Sequence, residues 1–268
     1  MLKTQLTRLG LPRVIDQFAQ YYFQTDFLHE ERLPGGESGP PVLMVMNHTA
    51  FFALEVYLLG SRLLSKHPDF DFRTLVWSGF TRGPAGAWFR QLGCDTVSVS
   101  RGRELLSDGK SILIMPEGVG ATDVRHRMNH FHTGYLHMAK DMDVQILPIG
   151  FAGVDESIPW LVFKNRFLIE KLMKPVDPKF DFVLLPKLPI PRPTKVVFSI
   201  GEPIQLMKGN LDTPEKVHRV NRNIKATISR LMDEAELFRS QRINKSLVNR
   251  NFHRLLAGKI SDFTAQDN

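Results

Sequence analysis

The chain has 268 residues, of which 43% are hydrophobic and 24% are charged. This composition is that of a globular protein with a sizeable core, and it excludes disorder or a fibrous repeat as the state of the whole chain. The single cysteine, Cys94, excludes a disulfide framework and a multi-cysteine zinc site. The net charge of +7 suits partners that carry negative charge, namely nucleic acid, anionic membrane or phosphorylated ligands, without selecting among them.

Two features of the chain bear on its relation to membranes. Its apolar runs are far shorter than the roughly 18 residues of a spanning helix, and its N-terminus lacks the apolar segment of a secretory signal. We therefore expect a cytoplasmic protein or one bound peripherally to the cytoplasmic face of a membrane. The expected anchors for an anionic membrane surface are the apolar run 161–173 and the stretch 237–261, which contains no acid. The basic residues of that stretch are Arg239, Arg242, Lys245, Arg250, Arg254 and Lys259.

The first two thirds of the chain alternate between predicted helices and short apolar strands. Apolar residues repeated every three or four positions predict the helices, and short, partly β-branched runs predict buried strands. Pro84 near the start of one helix and Gly93 at its end match the preferences of helix termini. The predicted helices cover 13–23, 53–66, 84–92, 103–107, 134–140 and the chain from 213 onward; the predicted strands cover 42–46, 74–77, 95–99, 111–115, 144–150 and 195–201.

This alternation is typical of an α/β fold with a mostly parallel sheet and helices on both faces. No linker or change of composition divides the chain. We therefore predict an N-terminal helical segment over 1–37, an α/β domain over 38–206, and a basic helical extension of the same domain over 207–268.

The first candidate for chemistry is a histidine that follows the predicted strand 42–46. Functional groups gather at the carboxyl ends of parallel strands, where Asn47 and His48 would lie. A carboxylate such as Glu55 can fix the tautomer of an imidazole and support it as a general base. Residues seven apart on one helix are separated by about 10.5 Å, so this pair requires His48 on a loop that folds back. Taken alone, such a pair is more often structural than catalytic.

Two further predicted strands end in candidate binding residues. Glu117 and Gly118 follow a buried strand, where the glycine permits close approach of a ligand to the backbone and the carboxylate can accept a hydrogen bond. Arg101 follows the predicted strand 95–99, where it could hold a phosphate through two hydrogen bonds. A solvated turn glutamate and a surface arginine are the simpler interpretations, and these residues alone do not decide between the two.

Together, these segments resemble the glycerolipid acyltransferases of the PlsC type over residues 38–206. Asn47-His48 and the strand before Arg101 stand in the order of that family's motifs. The resemblance continues with MPEG (115–118), FHTG (131–134), LPIGFAGVDESIP (147–159) and FSIGEPI (198–204).

The resemblance implies transfer of an acyl chain from acyl-CoA or acyl carrier protein to a hydroxyl of a lysophospholipid or glycerolipid, with no metal or other cofactor. It assigns His48 as the base, Glu55 as the group that orients it, and Asn47, Arg101, Glu117 and Gly118 to substrate binding. The family's commonest pattern has aspartate where Ala53 stands, threonine at Val119 and lysine at His132. The acceptor therefore need not be a simple glycerol phosphate.

Two functions from other classes remain compatible with the sequence. One is a lipid- or membrane-binding relative without catalysis. The other is a nucleic-acid binder that uses the basic C-terminus, although the aromatic residues are not interleaved with arginine and glycine. The histidines between 126 and 137 fit no standard zinc spacing, and Gly109-Lys110-Ser111 lacks the first glycine of a phosphate-binding loop. We therefore expect neither a metal site nor a nucleotide loop.

Overall fold

The computed structural model describes residues 9–35, 39–48, 53–118, 128, 130–157, 160–174, 183–186, 190–206 and 209–243. Its centre is an eight-stranded sheet, accompanied by a separate two-stranded sheet. The helices are α1 (Leu11–Tyr22), α2 (Leu54–Lys66), α3 (Ser78–Thr81), α4 (Gly83–Gln91), α5 (Val99–Ser107), α6 (Gly134–Ala139), α7 (Val154–Ser157), α8 (Arg166–Leu168), which continues as a π-helix (Ile169–Met173), and α9 (Pro214–Ile243).

The strands of the large sheet run in the order β1-β9-β6-β2-β5-β3-β4, with β10 paired to β6. Strands β2 to β6 are mutually parallel, whereas β9 and β10 run antiparallel to β6. This confirms the predicted mostly parallel sheet. The strands are β1 (Asp26–Leu28), β2 (Val42–Met46), β3 (Phe72–Val76), β4 (Cys94–Thr96), β5 (Ser111–Ile114), β6 (Gln145–Ala152), β9 (Val197–Ile200) and β10 (Ile204–Gln205), and the small sheet pairs β7 (Trp160–Phe163) with β8 (Val183–Pro186).

The central strand β2 is buried along its whole length between β5 and β6. Because successive side chains of a strand point to opposite faces, β2 contributes to two apolar clusters. Met44 and Met46 pack in one cluster with Leu59 of α2, while Leu43 packs in the other with Ile228 of α9. Helices therefore cover both faces of the sheet, as predicted.

The N-terminal segment is part of the same sheet. Strand β1 pairs in parallel with β9, with Asp26 opposite Val197. Arg62 of α2 bonds Asp16 of α1 and Glu30, with Nη1 3.1 Å from Asp16 Oδ2 and Nη2 3.1 Å from Glu30 Oε2. The segment predicted to be helical thus also contributes a strand, and the division of the chain at residue 37 stays a prediction.

Helix α9 is 30 residues long and packs against β6 and β9. The approach is close, since a Cβ atom on Gly150 of β6 would lie 2.6 Å from the Cβ of Leu231. Asn221 of α9 donates to the carbonyl of Phe131 at 2.9 Å and accepts from the Tyr135 hydroxyl at 2.9 Å. The helical extension therefore holds the FHTG segment beside the sheet.

The predicted strand 95–99 is present, but it ends earlier than expected. Strand β4 ends at Thr96, and α5 begins at Val99 with Ser98 as its N-cap. The Ser98 hydroxyl accepts the backbone N–H of Arg101 at 3.1 Å, a local bond that favours a helix start over further extended chain. Arg101 consequently lies in the first turn of a helix and not at the end of a strand.

The two expected membrane anchors have different outcomes. Segment 161–173 divides into strand β7 and the short helices that follow it, where Phe167 is 67% exposed. Of the basic stretch 237–261, only residues up to 243 lie in the described part of the chain. There Arg239 is buried and Arg242 bonds Asp26 with an Nη1–Oδ2 distance of 3.2 Å. Arg239 is therefore engaged within the protein, whereas the side chain of Arg242 is 55% exposed, and membrane binding by this stretch stays a prediction. No helix of the described residues is long and apolar enough to cross a membrane.

Candidate active site

The structure brings His48 and Glu55 together. His48 follows β2, and Glu55 is the second residue of α2. Ala53 has a left-handed backbone conformation (φ 48°) where the chain enters α2. The Nδ1 atom of His48 lies 2.6 Å from Oε1 of Glu55, whose side chain is fully buried. The chain thus folds back as the seven-residue spacing requires, although the residues 49–52 that connect the pair lie outside the described part.

The contact fixes the tautomer of the histidine. A carboxylate only accepts hydrogen bonds, so Nδ1 of His48 must carry the hydrogen and donate this hydrogen bond to Glu55. In the neutral imidazole the other ring nitrogen, Nε2, then has a free lone pair. This is the arrangement that a general base requires.

The electrostatic surroundings of His48 are acidic. Burial acts to lower its pKa, because the charged imidazolium loses hydration. The charge of Glu55 and its hydrogen bond act in the opposite direction, and so do the charges of Glu117 and Asp155. The net result is a pKa of His48 above its ordinary value.

The strands on either side of β2 hold the histidine in place. Glu117 follows β5, and its Oε1 accepts the backbone N–H of His48 at 2.9 Å. On the other side, Asn47 bonds the backbone of Phe151 in β6 twice, accepting its N–H at 3.0 Å and donating to its carbonyl at 3.3 Å. The side chain of Asn47 is buried, and its two hydrogen bonds connect the end of β2 to β6. Substrate contact by Asn47 stays a prediction.

A large apolar cavity of about 550 Å³ opens beside His48. Gly118, in a left-handed conformation (φ 63°), and His132 also line this cavity, and helix α1 contributes to the wall. Apolar cavities of this size bind ligands with large apolar groups. The apolar wall includes Leu11, Ile15, Val56, Leu64, Leu75, Trp77, Phe80, Phe89, Leu92, Val97, Ile114 and Met138.

A second, polar cavity of about 240 Å³ also includes His48. The histidine therefore stands between two cavities of opposite character. The polar cavity is formed by the ends of β2, β5 and β6 and by α9. Its described lining is Asn47, His48, Glu117, Met128, Phe151, Ala152, Gly153, Asp155, Glu156, Met232, Asp233 and Glu236.

Arg101, the predicted phosphate ligand, is not brought to this site. Its guanidinium bonds Asp95 through Nη2 at 2.7 Å and Glu104 through Nη1 at 2.7 Å. It belongs to the described lining of neither cavity. Its two carboxylate partners in and before α5 hold it away from the described lining of both cavities, and phosphate binding by Arg101 stays a prediction.

Sequence reasoning missed the acids of the polar cavity. Asp155 and Glu156 belong to the segment LPIGFAGVDESIP (147–159), which matches the family's order of motifs, but that resemblance gives their side chains no role. Asp233 and Glu236 lie on α9 among many basic residues, where the sequence gives no signal that they face a cavity. In the described part of the chain, no group of three or more histidine, cysteine, aspartate or glutamate residues is placed to hold a metal ion.

Fold and site together define a class of protein, an α/β protein with a carboxylate-oriented histidine at the carboxyl edge of its parallel strands, next to an apolar cavity. Comparison with known proteins agrees, because the family model described as Acyltransferase matches residues 25–152. The match covers just under half of the chain and agrees with the resemblance to acyltransferases seen in the sequence.

Two similar proteins illustrate this relationship. A 1-acyl-sn-glycerol-3-phosphate acyltransferase from Chlamydomonas reinhardtii is 26% identical over 143 residues, which are 52% of this chain and 41% of that protein. The chain thus matches about two fifths of that relative's length. The crystal structure of the 1-acyl-sn-glycerophosphate acyltransferase PlsC from Thermotoga maritima superposes with a TM-score of 0.55 at 18% identity, covering 85% of this chain and 81% of that one. This second similarity supports the fold.

Proposed function

We propose that this protein transfers an acyl chain from an acyl thioester, carried by coenzyme A or acyl carrier protein, to a hydroxyl of a lysophospholipid or glycerolipid. The observation that carries the proposal is the position of His48. Its ring is hydrogen-bonded to the buried carboxylate of Glu55, with an Nδ1–Oε1 distance of 2.6 Å, and His48 lines both an apolar and a polar cavity. An acyl chain suits the first cavity, and the polar part of an acceptor alcohol suits the second.

The reaction follows from the protonation state of the histidine. Nε2 of His48 removes the proton of the acceptor hydroxyl as its oxygen attacks the thioester carbonyl carbon. Glu55 stabilises the resulting imidazolium through the Nδ1 hydrogen bond. The tetrahedral intermediate then expels the thiolate, and Nε2 of His48 donates its proton to the leaving sulfur. The carbon–sulfur bond breaks, the ester bond forms, and the histidine returns to its starting state.

The family's substrates are lipids, so we also propose that the protein acts at the cytoplasmic face of an anionic membrane. Helix α1 supports this location, because Leu11 and Ile15 line the apolar cavity while Val14 and Tyr21 are exposed to solvent by 59% and 85%. An apolar helix face that adjoins the cavity offers a route for an acyl chain from the bilayer to His48. In this proposal, α1 adds an apolar contact to the basic stretch 237–261, in which Arg239 is buried and Arg242 is 55% exposed.

Consumption of an acyl thioester, measured with a panel of lysolipids and glycerolipids, tests the proposal. The expected result is thiol release that depends on an acceptor and yields the acylated acceptor, and His48→Ala should abolish it. A folded protein that binds lipid vesicles but transfers no acyl chain would identify the non-catalytic relative instead.

A further inference from the structure

Residues 153–157 follow β6 and form a turn, the β6 turn, on one side of the polar cavity. The turn includes α7, and its residues Asp155 and Glu156 line this cavity. It begins at Gly153 in a left-handed conformation (φ 96°), which glycine adopts without strain. A Cβ atom on Gly153 would lie 2.7 Å from Nε of Arg239, so there is no room for a larger residue. The β6 turn is therefore packed tightly against Arg239 of α9.

Arg239 connects the β6 turn to two other segments. Its Nη2 bonds Glu156 of the turn, and its Nη1 lies 2.8 Å from Oε2 of Glu236 on α9. Its Nε donates to the carbonyl of Lys195, 2.9 Å away, in the chain that leads into β9. The three nitrogen atoms of one planar guanidinium thus bond three segments, and their directions are fixed relative to one another. Arg239 therefore fixes the β6 turn relative to α9 and β9.

Two further hydrogen bonds hold the ends of the β6 turn. Thr194 Oγ1 donates to the carbonyl of Gly153 at 3.1 Å, and the backbone N–H of Arg192 donates to the carbonyl of Ser157 at 2.6 Å. Arg239 instead bonds the residue between these ends that directly follows Asp155. Loss of that bond should therefore leave the turn attached at both ends and change the position of its middle.

Stability alone does not account for the burial of Arg239. Its side chain is 3% exposed, whereas the side chains of Glu156 and Glu236 are 49% and 53% exposed. Taking a guanidinium out of water is costly, and a buried ion pair often contributes no more stability than apolar residues of the same volume. An apolar side chain could not supply the directed bonds that fix the β6 turn.

We propose that Arg239 is a positioning residue of the active site, which holds the β6 turn so that Asp155 stands beside His48 in the polar cavity. The inference rests on the proposed acyl transfer at His48. Arg239 does not belong to the described lining of either cavity, so it acts through Glu156 and the turn and not on the substrate.

The charge of Asp155 links the position of the turn to the chemistry. This charge acts with those of Glu55 and Glu117 to raise the pKa of His48. A turn that is no longer fixed should hold Asp155 farther from His48 on average, which should lower the pKa of His48 because a charge interaction weakens with distance. In the described part of the chain, the other titratable groups that line the cavities with His48 are Tyr57, Cys94, His132, Tyr135, Glu156, Asp233 and Glu236.

Arg239→Lys tests the inference, because lysine keeps the positive charge and loses the planar fork of bonds. The measurement is thiol release from palmitoyl-CoA across a range of pH, with thermal unfolding of each variant. The acceptor is the one that the wild type acylates fastest among a monoacylglycerol, a lysophosphatidic acid and a lysophosphatidylcholine, each in neutral detergent micelles.

We expect kcat/KM for the acceptor to fall by about tenfold or more in Arg239→Lys, because the acceptor side of the site is misplaced. The Michaelis constant for the thioester should change by less than about twofold, since the β6 turn belongs to the described lining of the polar cavity and not to that of the apolar one. The midpoint of the pH profile should move to lower pH by about as much as in Asp155→Asn. Arg230→Ala removes an exposed arginine from the same helix and is the matched control, which should leave both quantities unchanged.

Two substitutions at the other end of the bond keep the inference testable if Arg239→Lys does not fold. Glu156→Ala and Glu156→Gln both remove the charge of a half-exposed side chain, but only glutamine keeps an oxygen that can accept from Nη2 of Arg239. We expect Glu156→Ala to lower the midpoint and Glu156→Gln to stay closer to the wild type. Added to Asp155→Asn, Glu156→Ala should lower the midpoint no further, because both changes act through the same charge.

The outcomes separate this inference from the proposed function. A folded Arg239→Lys variant with the wild-type midpoint overturns the inference and leaves acyl transfer intact, and any loss of activity then follows from the fold. Equal effects of Glu156→Ala and Glu156→Gln also overturn it, because the charge of Glu156 and not its bond to Arg239 is then what matters. If the folded wild type acylates none of the three acceptors, the proposed function itself is contradicted, and the inference falls with it.

Discussion

Replacement of Glu55 by glutamine tests the charge of the histidine–carboxylate pair while it preserves the shape. In the wild type, Nδ1 of His48 lies 2.6 Å from Oε1 of Glu55. Glutamine keeps an oxygen that accepts this hydrogen bond, so the ring should retain its orientation. What is lost is the negative charge that stabilises the imidazolium during proton transfer. At an effective dielectric constant of about 20, unit charges ~4 Å apart interact by ~4 kcal/mol, which corresponds to roughly a thousandfold in rate.

We expect Glu55→Gln to lower kcat by about 100- to 1,000-fold. The Michaelis constants should change by less than about threefold, because Glu55 belongs to the described lining of neither cavity and an interaction made mainly in the transition state acts on kcat. Glu55→Asp keeps the charge on a shorter side chain and should recover part of the activity.

The measurement is the initial rate of thiol release at saturating thioester and varied acceptor, combined with thermal unfolding of each variant. Glu31→Gln, which removes an exposed carboxylate from the surface, is the control and should retain full activity. If Glu55→Gln keeps more than a tenth of the wild-type kcat, the carboxylate does not support His48 as a base. If kcat falls only together with a large loss of thermal stability, Glu55 serves the fold.

Four further outcomes are expected. His48→Ala should remain folded and lose about 100- to 10,000-fold in kcat, and retention of a tenth of the activity would contradict the mechanism. Because the pKa of His48 is raised, kcat/KM should rise with pH through a midpoint above about 6.5, and Asp155→Asn should lower that midpoint; an unchanged midpoint would exclude coupling between the two residues. Arg101→Ala should change the Michaelis constants for phosphate-bearing and neutral acceptors equally, and a rise for the phosphate-bearing one alone would restore the phosphate clamp. Val14→Ser combined with Tyr21→Ser should weaken sedimentation with anionic vesicles but leave turnover of detergent-dispersed acceptor intact, whereas unchanged sedimentation would assign membrane binding elsewhere.

The predictable part of the fold is the part that depends on local sequence. Strand β2 has the bounds predicted for it, 42–46, because an uninterrupted apolar run is followed directly by the polar Asn47. Strand β1 was not predicted, because three half-buried residues carry no pattern of their own and pair only when β9 is already in place. Arg101 was misplaced because alternating polar and apolar residues favoured a strand, whereas the Ser98 cap decided for a helix.

The same distinction applies to the site. A hydrogen bond between His48 and Glu55, seven residues apart, requires the chain between them to fold back. The pair could therefore be predicted from the sequence on that one condition. The acids of the polar cavity could not be predicted, because Asp155 and Asp233 line the same cavity only through the packing of α9 on β6. A carboxylate on a helix with many basic residues looks like ordinary surface until the fold shows which way it faces.

The residues matched by the family model form only part of the two cavities at His48. The residues matched by the family model, 25–152, include His48, Glu55 and most of the apolar wall, so the match covers the histidine–carboxylate pair and most of the apolar cavity. The polar cavity is completed by residues after 152, and part of the wall of the apolar cavity comes from α1, before residue 25. The similarity to acyltransferases therefore extends to the residues of the proposed chemistry and not to the whole of the polar cavity, so the acceptor of this protein has to be identified by assay and not from the names of its relatives.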